Sequence, residues 1–132
     1  MVTVLFICVH NAGRSQMAEA FFNKLSEGRH KGISAGSNPA SQVNPIVVET
    51  MKEVGIDIGG KKPKKLSKEM ILEAELAITM GCGDDTCPIV PNELRDWDLE
   101  DPHDKTLFEV RNIRDEIKNR IEALIKELDE KT

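Results

Sequence analysis

The feature that constrains the fold most is an apolar run near the start of the chain that ends in a short polar loop. Residues 2–9 read VTVLFICV, a continuous β-branched and apolar stretch of strand length. Such a run is typical of a strand that is covered on both faces in a parallel sheet. Beyond the loop at 10–14, apolar residues recur every four positions, which predicts a helix over 15–25. The chain therefore begins with a central strand, a tight loop and a helix.

The rest of the chain alternates between strand and helix patterns. Further strands are predicted at 32–37, 76–80 and 95–99. Further helices are predicted from their first residues: one capped by Asn44 and ended by Gly55, one capped by Ser67, and one opened by the capping box of Thr106 and Glu109. A basic connection covers 61–65, and 81–91 has the composition of a loop. This alternation predicts a single α/β domain over 1–132, a three-layer sandwich with a four-stranded, mainly parallel sheet.

Composition narrows the classes of partner. The chain has 132 residues and a net charge of −5, which argues against a nucleic-acid binder or a protein attracted to an anionic membrane. No apolar run approaches the length of a membrane helix, and the apolar start lacks the basic flank of a signal peptide. We therefore expect a cytoplasmic protein, and nothing in the sequence indicates an obligate oligomer, so a monomer is expected.

The loop after the first strand has the composition of an oxyanion site. From Cys8 to Ser15 it reads CVHNAGRS and leads directly into a helix N-terminus. Such a loop can direct successive backbone N–H groups at a tetrahedral anion, with the positive end of the helix dipole behind it. Arg14 can hold two anion oxygens in a bidentate contact, and the same positive field favours the reactive thiolate of Cys8. The candidate oxyanion-binding residues are Val9, His10, Asn11, Ala12, Gly13, Arg14 and Ser15.

A reaction at this loop also needs a proton donor. Asp101, followed by Pro102 in a turn between strand and helix, is the candidate general acid that protonates the departing oxygen. An ordinary Asp-Pro turn is the alternative interpretation of this pair, and Asp104 is the second choice of acid.

The cysteines suggest redox chemistry. The chain has three, an odd number that does not suit a permanent disulfide framework. Cys82 and Cys87 lie in the loop after the third strand, and thiolate exchange can connect them to Cys8 if that strand neighbours the first. A zinc site is the competing interpretation, but the sequence offers no second close pair of ligands, so we predict no metal centre.

Together these residues resemble a known family. The run CVHNAGRSQMAE at 8–19, SAG at 34–36, the pair Cys82 and Cys87, and the Asp101-Pro102 dipeptide are similar, in this order, to the thioredoxin-coupled arsenate reductases. That family shares the fold of the low-molecular-weight protein tyrosine phosphatases, and the resemblance covers nearly the whole chain.

The resemblance implies a cycle of three thiols. Cys8 attacks arsenate while Arg14 orients the anion and Asp101 protonates the departing oxygen. Cys82 then attacks the Cys8 sulfur and releases arsenite, and Cys87 attacks Cys82. The resulting Cys82–Cys87 disulfide is reduced by thioredoxin or a similar dithiol protein.

The resemblance also implies residues that support the loop. Asn11 keeps the loop in its active shape, and some relatives bind a potassium ion with residues that match Asn11, Glu19 and Ser34. Lys64 stands where those relatives have an aspartate, and its ammonium group can take the place of the cation. We therefore expect no cofactor, and Lys64 argues against the remaining alternative, a bound potassium ion.

Two other functions compete with arsenate reduction. A low-molecular-weight phosphatase would use Cys8, Arg14 and Asp101 on phosphate monoesters, but it would leave Cys82 and Cys87 without a role. The absence of tyrosine from the chain weighs against a phosphotyrosine cleft with aromatic walls. A non-enzymatic sensor of oxyanions or redox state would explain the thiols and the loop, but not a positioned acid.

Overall fold

A single parallel sheet organises the structure. The computed structural model describes residues 2–80 and 93–131, and within them the chain forms four parallel strands in the order β2-β1-β3-β4. The strands are β1 (Thr3–Cys8), β2 (Lys31–Gly36), β3 (Leu76–Thr79) and β4 (Glu93–Asp96). The predicted parallel sheet with the first strand at its centre is confirmed, and β3 is the second neighbour of β1.

Three of the helices in the described residues begin at the predicted caps, and the first begins one residue before its predicted start. They are α1 (Arg14–Ser26), α2 (Pro45–Lys52), α3 (Lys68–Glu73) and α4 (Leu107–Lys131). The Asn44 side chain accepts a hydrogen bond from Ile46 N at 3.0 Å, and that of Ser67 accepts one from Met70 N at 3.3 Å. Thr106 and Glu109 exchange hydrogen bonds as a capping box does, at 3.0 to 3.2 Å.

The end of α2 differs from the prediction. The helix ends at Lys52 with Glu53 as its cap, and Gly55 lies two residues further on with φ of 82°. This left-handed conformation lets the following residue, Ile56, donate its N–H to Met51 O at 3.0 Å. Gly55 therefore closes the turn after the helix instead of capping it directly.

Side chains alternate along β1 between two hydrophobic cores. Val4, Phe6 and Cys8 pack in the larger core, with buried residues of α1, α2 and α4. Leu5 and Ile7 lie in the smaller core on the other face, against which residues of α3 are partly buried. The structure is therefore the predicted three-layer sandwich, and the Cys8 side chain lies on the same face as α1.

The fourth strand lies earlier in the sequence than predicted. Pairing with β3 joins Leu76 to Glu93 and Thr79 to Asp96, so the strand occupies 93–96 and not 95–99. It lies at the edge of the sheet and most of its side chains are exposed, so it has no apolar pattern that would mark its limits. In residues 2–80 and 93–131, we find no helix with both the length and the apolar character needed to span a membrane.

Candidate active site

The loop at 8–15 joins the carboxyl end of the central strand to the start of α1. Cys8 is 2% exposed, and its Sγ lies 2.8 Å from Ser15 Oγ. Asn11 donates its backbone N–H to the same sulfur at 3.2 Å. Because Asn11 Nδ2 donates to Ser15 Oγ at 2.6 Å, the hydroxyl proton of Ser15 is available to Cys8 Sγ. Both donors stabilise a thiolate at this position.

Asn11 holds the loop in an uncommon backbone conformation. Its φ of 51° lies in the left-handed region, which asparagine tolerates better than most residues. The side chain is fully buried, and its Nδ2 donates to Ser15 Oγ and to Ser34 Oγ, the latter at 3.1 Å. Its Oδ1 accepts from Gln16 Nε2 at 3.0 Å and from Lys64 N at 2.9 Å. These contacts fix the direction in which the Asn11 backbone N–H points, which is toward Cys8.

Gln16 belongs to this network, although the sequence motif alone does not indicate it. It is 1% exposed, and its Nε2 donates to Asn11 Oδ1 and, at 3.3 Å, to Lys62 O. Its position in the first turn of the helix after the anion loop is the sequence feature that could indicate this role, because an uncharged amide there can reach back to the loop. Its partner on the basic connection is 46 residues away, so the spacing of the motif gave no sign of that contact.

The remaining residues predicted to support the loop form a second group beside Asn11. Ser34 Oγ donates to Glu19 Oε1 at 3.0 Å, and Lys64 Nζ lies 3.7 Å from the same oxygen. Glu19 is 6% exposed and Ser34 is fully buried, so a counter-charge beside the carboxylate is needed. The Lys64 ammonium supplies that charge.

The end of β2 approaches the loop too closely for a side chain. A Cβ atom at Gly36 would lie 2.6 Å from Val9 O and 3.0 Å from Asn11 N, so only glycine fits without displacing the loop. Gly36 also pairs with the basic connection, since its N–H donates to Lys64 O at 2.8 Å and its carbonyl accepts from Leu66 N at 3.0 Å. Residues 61–65 are thus part of the loop's support, a role the sequence analysis did not give them as a segment.

Backbone groups that follow β2 bind the carbonyl groups of the loop. Val9 O accepts from Asn38 N at 2.8 Å, His10 O from Ala40 N at 3.0 Å, and Ala12 O from Asn44 N at 2.9 Å. Because these carbonyl groups are hydrogen-bonded on the outside of the loop, they do not point toward a bound anion. The backbone N–H groups of the loop are then the ones that can bind it. The His10 ring is exposed, and its Nδ1 lies 3.1 Å from Asn38 O.

Arg14 connects the loop to the predicted acid. It is 6% exposed, its Nη1 donates to Leu99 O at 3.2 Å, and its Nη2 lies 3.6 Å from Asp101 Oδ2. The Asp101 side chain is half exposed, and its Oδ1 accepts from His103 N at 3.0 Å. Asp104 is more exposed and pairs with the His103 ring at 3.3 Å. Of the two candidate acids, Asp101 is therefore the one beside Arg14.

A cleft of about 500 Å³ opens over these groups. It is lined by Cys8 and Arg14, by both candidate acids Asp101 and Asp104, by His10 and His103, and by residues of the segment that leads into α2. The predicted relay residues Cys82 and Cys87 lie outside the described residues. Over 2–80 and 93–131, no cluster of three or more His, Cys, Asp or Glu side chains is arranged to hold a metal ion. The cleft can therefore present a thiol, an arginine and a carboxylic acid to one small anion.

Comparison with known proteins assigns the chain to a family with this kind of site. The family model described as low molecular weight phosphotyrosine protein phosphatase matches residues 3–132. The chain belongs to this family.

Two curated relatives that are similar over most of the chain are named arsenate reductases. "Arsenate reductase 2" of Staphylococcus haemolyticus is 38% identical over 124 residues, which cover 92% of this chain and 94% of that protein. The "Glutaredoxin arsenate reductase" of Synechocystis sp. is 36% identical over 128 residues, 95% of this chain and 97% of that protein.

Solved structures give the same fold. The thioredoxin-dependent arsenate reductase of Corynebacterium glutamicum superposes with a TM-score of 0.87 at 41% identity over all of this chain, which spans 64% of the length of that one. An arginine phosphatase from Geobacillus stearothermophilus superposes with a TM-score of 0.88 at 25% identity, covering 99% of this chain and 95% of that one. The fold therefore carries both arsenate reductases and phosphatases, and the chemistry of this chain has to be argued from its own residues.

Proposed function

We propose that this protein reduces arsenate to arsenite through a thiol cascade that begins at Cys8 and is regenerated by a thioredoxin-type dithiol protein. One observation carries the proposal. Cys8 Sγ accepts hydrogen bonds from Ser15 and Asn11, and it lines the same cleft as the Arg14–Asp101 pair. A nucleophile, an anion ligand and an acid are therefore brought together at one loop.

The first step joins sulfur to arsenic. The Cys8 thiolate attacks arsenate, a sulfur–arsenic bond forms, and one oxygen leaves as water after Asp101 supplies a proton. Arg14 holds the anion during this step. A guanidinium carries five N–H groups, and its contacts with Leu99 O and Asp101 leave others for two anion oxygens.

The second stage moves electrons from thiols to arsenic. Cys82 attacks the Cys8 sulfur, the sulfur–arsenic electron pair stays with arsenic, and As(V) becomes As(III) as arsenite leaves. Cys87 then attacks Cys82, which frees Cys8 and forms the Cys82–Cys87 disulfide. Thr79, the last residue of β3, pairs with Ile7, the neighbour of Cys8. Cys82 follows Thr79 by three residues, a span of up to about 10 Å in an extended chain, so the sequence distance is compatible with the attack.

The electron donor is a dithiol protein that reduces the Cys82–Cys87 disulfide. Support for this class comes from the names of the relatives, since the Corynebacterium glutamicum enzyme is called thioredoxin-dependent and the Synechocystis relative a glutaredoxin arsenate reductase. Because both resolving thiols are in the chain itself, the donor has to reduce an intrachain disulfide, which a dithiol protein of either kind can do.

The test follows NADPH oxidation with arsenate, thioredoxin and thioredoxin reductase. Wild type should turn over continuously, and the variants Cys8→Ser, Cys82→Ser and Cys87→Ser should not. Full turnover by Cys82→Ser or Cys87→Ser would exclude the three-thiol cascade. Replacing thioredoxin with glutaredoxin and glutathione in the same assay identifies the donor.

Hydrolysis of phosphate monoesters is the second candidate function. It is supported by the family model and by the similarity to an arginine phosphatase. Hydrolysis requires Cys8, Arg14 and Asp101 but neither Cys82 nor Cys87. The Cys82→Ser and Cys87→Ser variants therefore separate the two functions, because they should lose arsenate turnover and keep any phosphatase activity. A sensor without catalysis would show neither arsenate reduction nor phosphate-ester hydrolysis in the wild type.

We also propose that Lys64 takes the place of a potassium ion beside Glu19. Its ammonium lies 3.7 Å from Glu19 Oε1, the oxygen that also accepts from Ser34. A potassium ion on these oxygens would carry the same charge as the ammonium, so the two would repel each other. Turnover should be equal in potassium and sodium salts for wild type. Lys64→Met should lower turnover and make it respond to potassium, and a potassium response in wild type would contradict this role.

We place this reaction in the cytoplasm, with the protein acting as a monomer and without a nucleic-acid or membrane partner. The cascade requires reduced thiols, which a reducing compartment maintains. The net charge of −5 supports the absence of polyanionic partners. Light scattering coupled to size-exclusion chromatography should give the mass of one chain, and a dimer mass would contradict the monomer.

A further inference from the structure

The proline that follows Asp101 packs directly against the anion loop. A Cβ atom placed on Gly13 would lie 2.6 Å from Pro102 Cγ and 3.6 Å from Val47 Cγ2 of α2. The φ of Gly13 is −146°, outside the left-handed region that favours glycine. The close approach of Pro102 is therefore one obstacle to a side chain at position 13.

A clash at this point cannot be relieved by rotating a side chain. The proline ring is closed onto its own backbone, so beyond a change of ring pucker, moving Cγ away from Gly13 moves the backbone of Pro102. Asp101 is the preceding residue, and its Oδ1 accepts from His103 N on the other side of the proline. Displacement of Pro102 therefore displaces the Asp101 carboxyl with it.

Arg14 makes the same connection from the loop side. It follows Gly13 directly, and its guanidinium contacts Leu99 O and the Asp101 carboxylate. The segment 99–103, which we call the acid segment, is thus held to the anion loop by a packing contact at Gly13 and by polar contacts at Arg14. The packing contact limits how close the acid segment comes, while the polar contacts attract it.

We propose that Gly13 and Pro102 are positioning residues whose direct contact sets the distance between the general acid Asp101 and an anion bound at Cys8. This inference rests on the proposed use of Asp101 as acid in the reaction at Cys8. A methyl group at position 13 moves the acid segment outward and leaves the hydrogen bonds around Cys8 and Asn11 in place. Proton delivery is then impaired more than anion binding.

The experiment compares the Gly13→Ala variant with a control variant and a rescue variant. Its matched control is Gly60→Ala, which adds a methyl group where no atom lies within 4 Å. Its rescue variant is Gly13→Ala/Pro102→Ala, which removes the ring atoms that the new methyl meets. Gly13→Ala should lower arsenate turnover by about 10- to 100-fold, a part of what a general acid contributes. The double variant should recover much of that loss, and Gly60→Ala should match wild type.

Two further readouts separate positioning of the acid from damage to the loop. Phosphate should protect Cys8 from iodoacetamide in Gly13→Ala at nearly the wild-type concentration, because the anion loop is intact. In an Asp101→Asn background, Gly13→Ala should cause little additional loss, because the acid it displaces is already gone. Urea unfolding of each variant checks that it is folded.

Loss of phosphate protection in Gly13→Ala, or an equal loss of turnover with and without Asp101, would show that Gly13 serves the loop itself and would overturn the proposal. So would a double variant no better than Gly13→Ala. If wild type fails to reduce arsenate, the proposed function fails, and the same variants are compared on phenyl phosphate hydrolysis, which also needs a protonated leaving group. Absence of both activities overturns the positioning role as well.

Discussion

The two sides of the anion loop are held by different kinds of contact. On one side the buried Asn11 side chain binds Ser15, Ser34, Gln16 and the backbone of Lys64, with distances of 2.6 to 3.1 Å. On the other side a half-exposed Asp101 lies 3.6 Å from Arg14. The first side is a buried polar network in which both the donor and the acceptor group of the Asn11 side chain are hydrogen-bonded, and the second is a longer ion-pair contact at the rim of the cleft. The nucleophile is therefore held by buried hydrogen bonds, and the acid by an ion pair at the cleft rim together with the packing contact at Gly13.

This difference predicts where substitutions act. A buried polar group that loses its partner costs free energy of folding, because water cannot replace the lost hydrogen bond. A half-exposed carboxylate that is removed costs little, because solvent already screens it. We expect changes around Asn11 to lower stability and changes around Asp101 to lower turnover with stability retained.

The largest loss of stability is expected from Asn11→Ala. The change leaves the Lys64 backbone N–H without its acceptor, takes one acceptor from Gln16, and puts alanine in a left-handed conformation. The expected cost is about 3 to 4 kcal/mol from these combined terms, measured by urea unfolding. The matched control is Asn38→Ala, an exposed asparagine that should stay near wild type. A loss for Asn11→Ala no greater than that of the control would contradict a structural network on this side.

A smaller loss is expected from Gly36→Ala. The new methyl group meets Val9 O and Asn11 N, both backbone atoms that cannot rotate away. Overpacking of this kind costs about 2 kcal/mol, and it should also weaken phosphate protection of Cys8, because the loop itself is displaced. Gly60→Ala is again the control with open space. Intact anion protection in a destabilised Gly36→Ala would show that the loop moves independently of β2.

A partly buried ion pair away from the cleft gives a reference for how much solvent screening weakens such a contact. Arg95 donates to Glu127 at 2.9 Å and lowers the pKa of that carboxyl to about 2 from the ordinary 4.5. Because the folded pKa is the lower one, the stabilisation is present above about pH 4.5 and is lost as the pH falls through about 2. The carboxylate is 38% exposed, so Glu127→Gln should cost under about 1 kcal/mol at pH 7 and less at pH 3.

Glu122→Gln, an exposed position on the same helix, is the control for that measurement. A cost for Glu127→Gln that does not shrink toward pH 3 would assign the contribution to packing and not to charge. The comparison calibrates how little a screened pair contributes, which is the basis for the expectation at Asp101.

The sequence predicts local structure here better than it predicts contacts between distant segments. The strand at the start, the loop and the helix caps at Asn44, Ser67 and Thr106 depend on neighbours in the chain, and the structure confirms them. The edge strand β4 begins two residues before its predicted start, because exposed side chains give it no apolar period. The relay pair Cys82 and Cys87 stays a prediction, because it lies outside the described residues.

The candidate site shows the same division. The run from Cys8 to Glu19 points to an anion loop through residue types at short spacing. The roles of Gln16, Gly36 and the backbone of Lys64 depend on segments that approach the loop from as far as 53 residues away. Nothing in their local sequence encodes that approach, since it follows from the pairing of β2 with β1 and from the bridge between Gly36 and Lys65.

The smallest change in stability and a large change in activity are expected together at Asp101. Asp101→Asn keeps the shape of the side chain and can still accept from His103 N, so the free energy of unfolding should change by less than about 0.5 kcal/mol. Turnover should fall by about 100-fold or more, because no group at this position can deliver a proton. Asp104→Asn is the comparison, since Asp104 pairs with His103 and should leave turnover nearly unchanged. A larger loss from Asp104→Asn than from Asp101→Asn would transfer the acid role to Asp104. A large loss of stability in Asp101→Asn would instead show that the acid side of the loop is as firmly built as the Asn11 side.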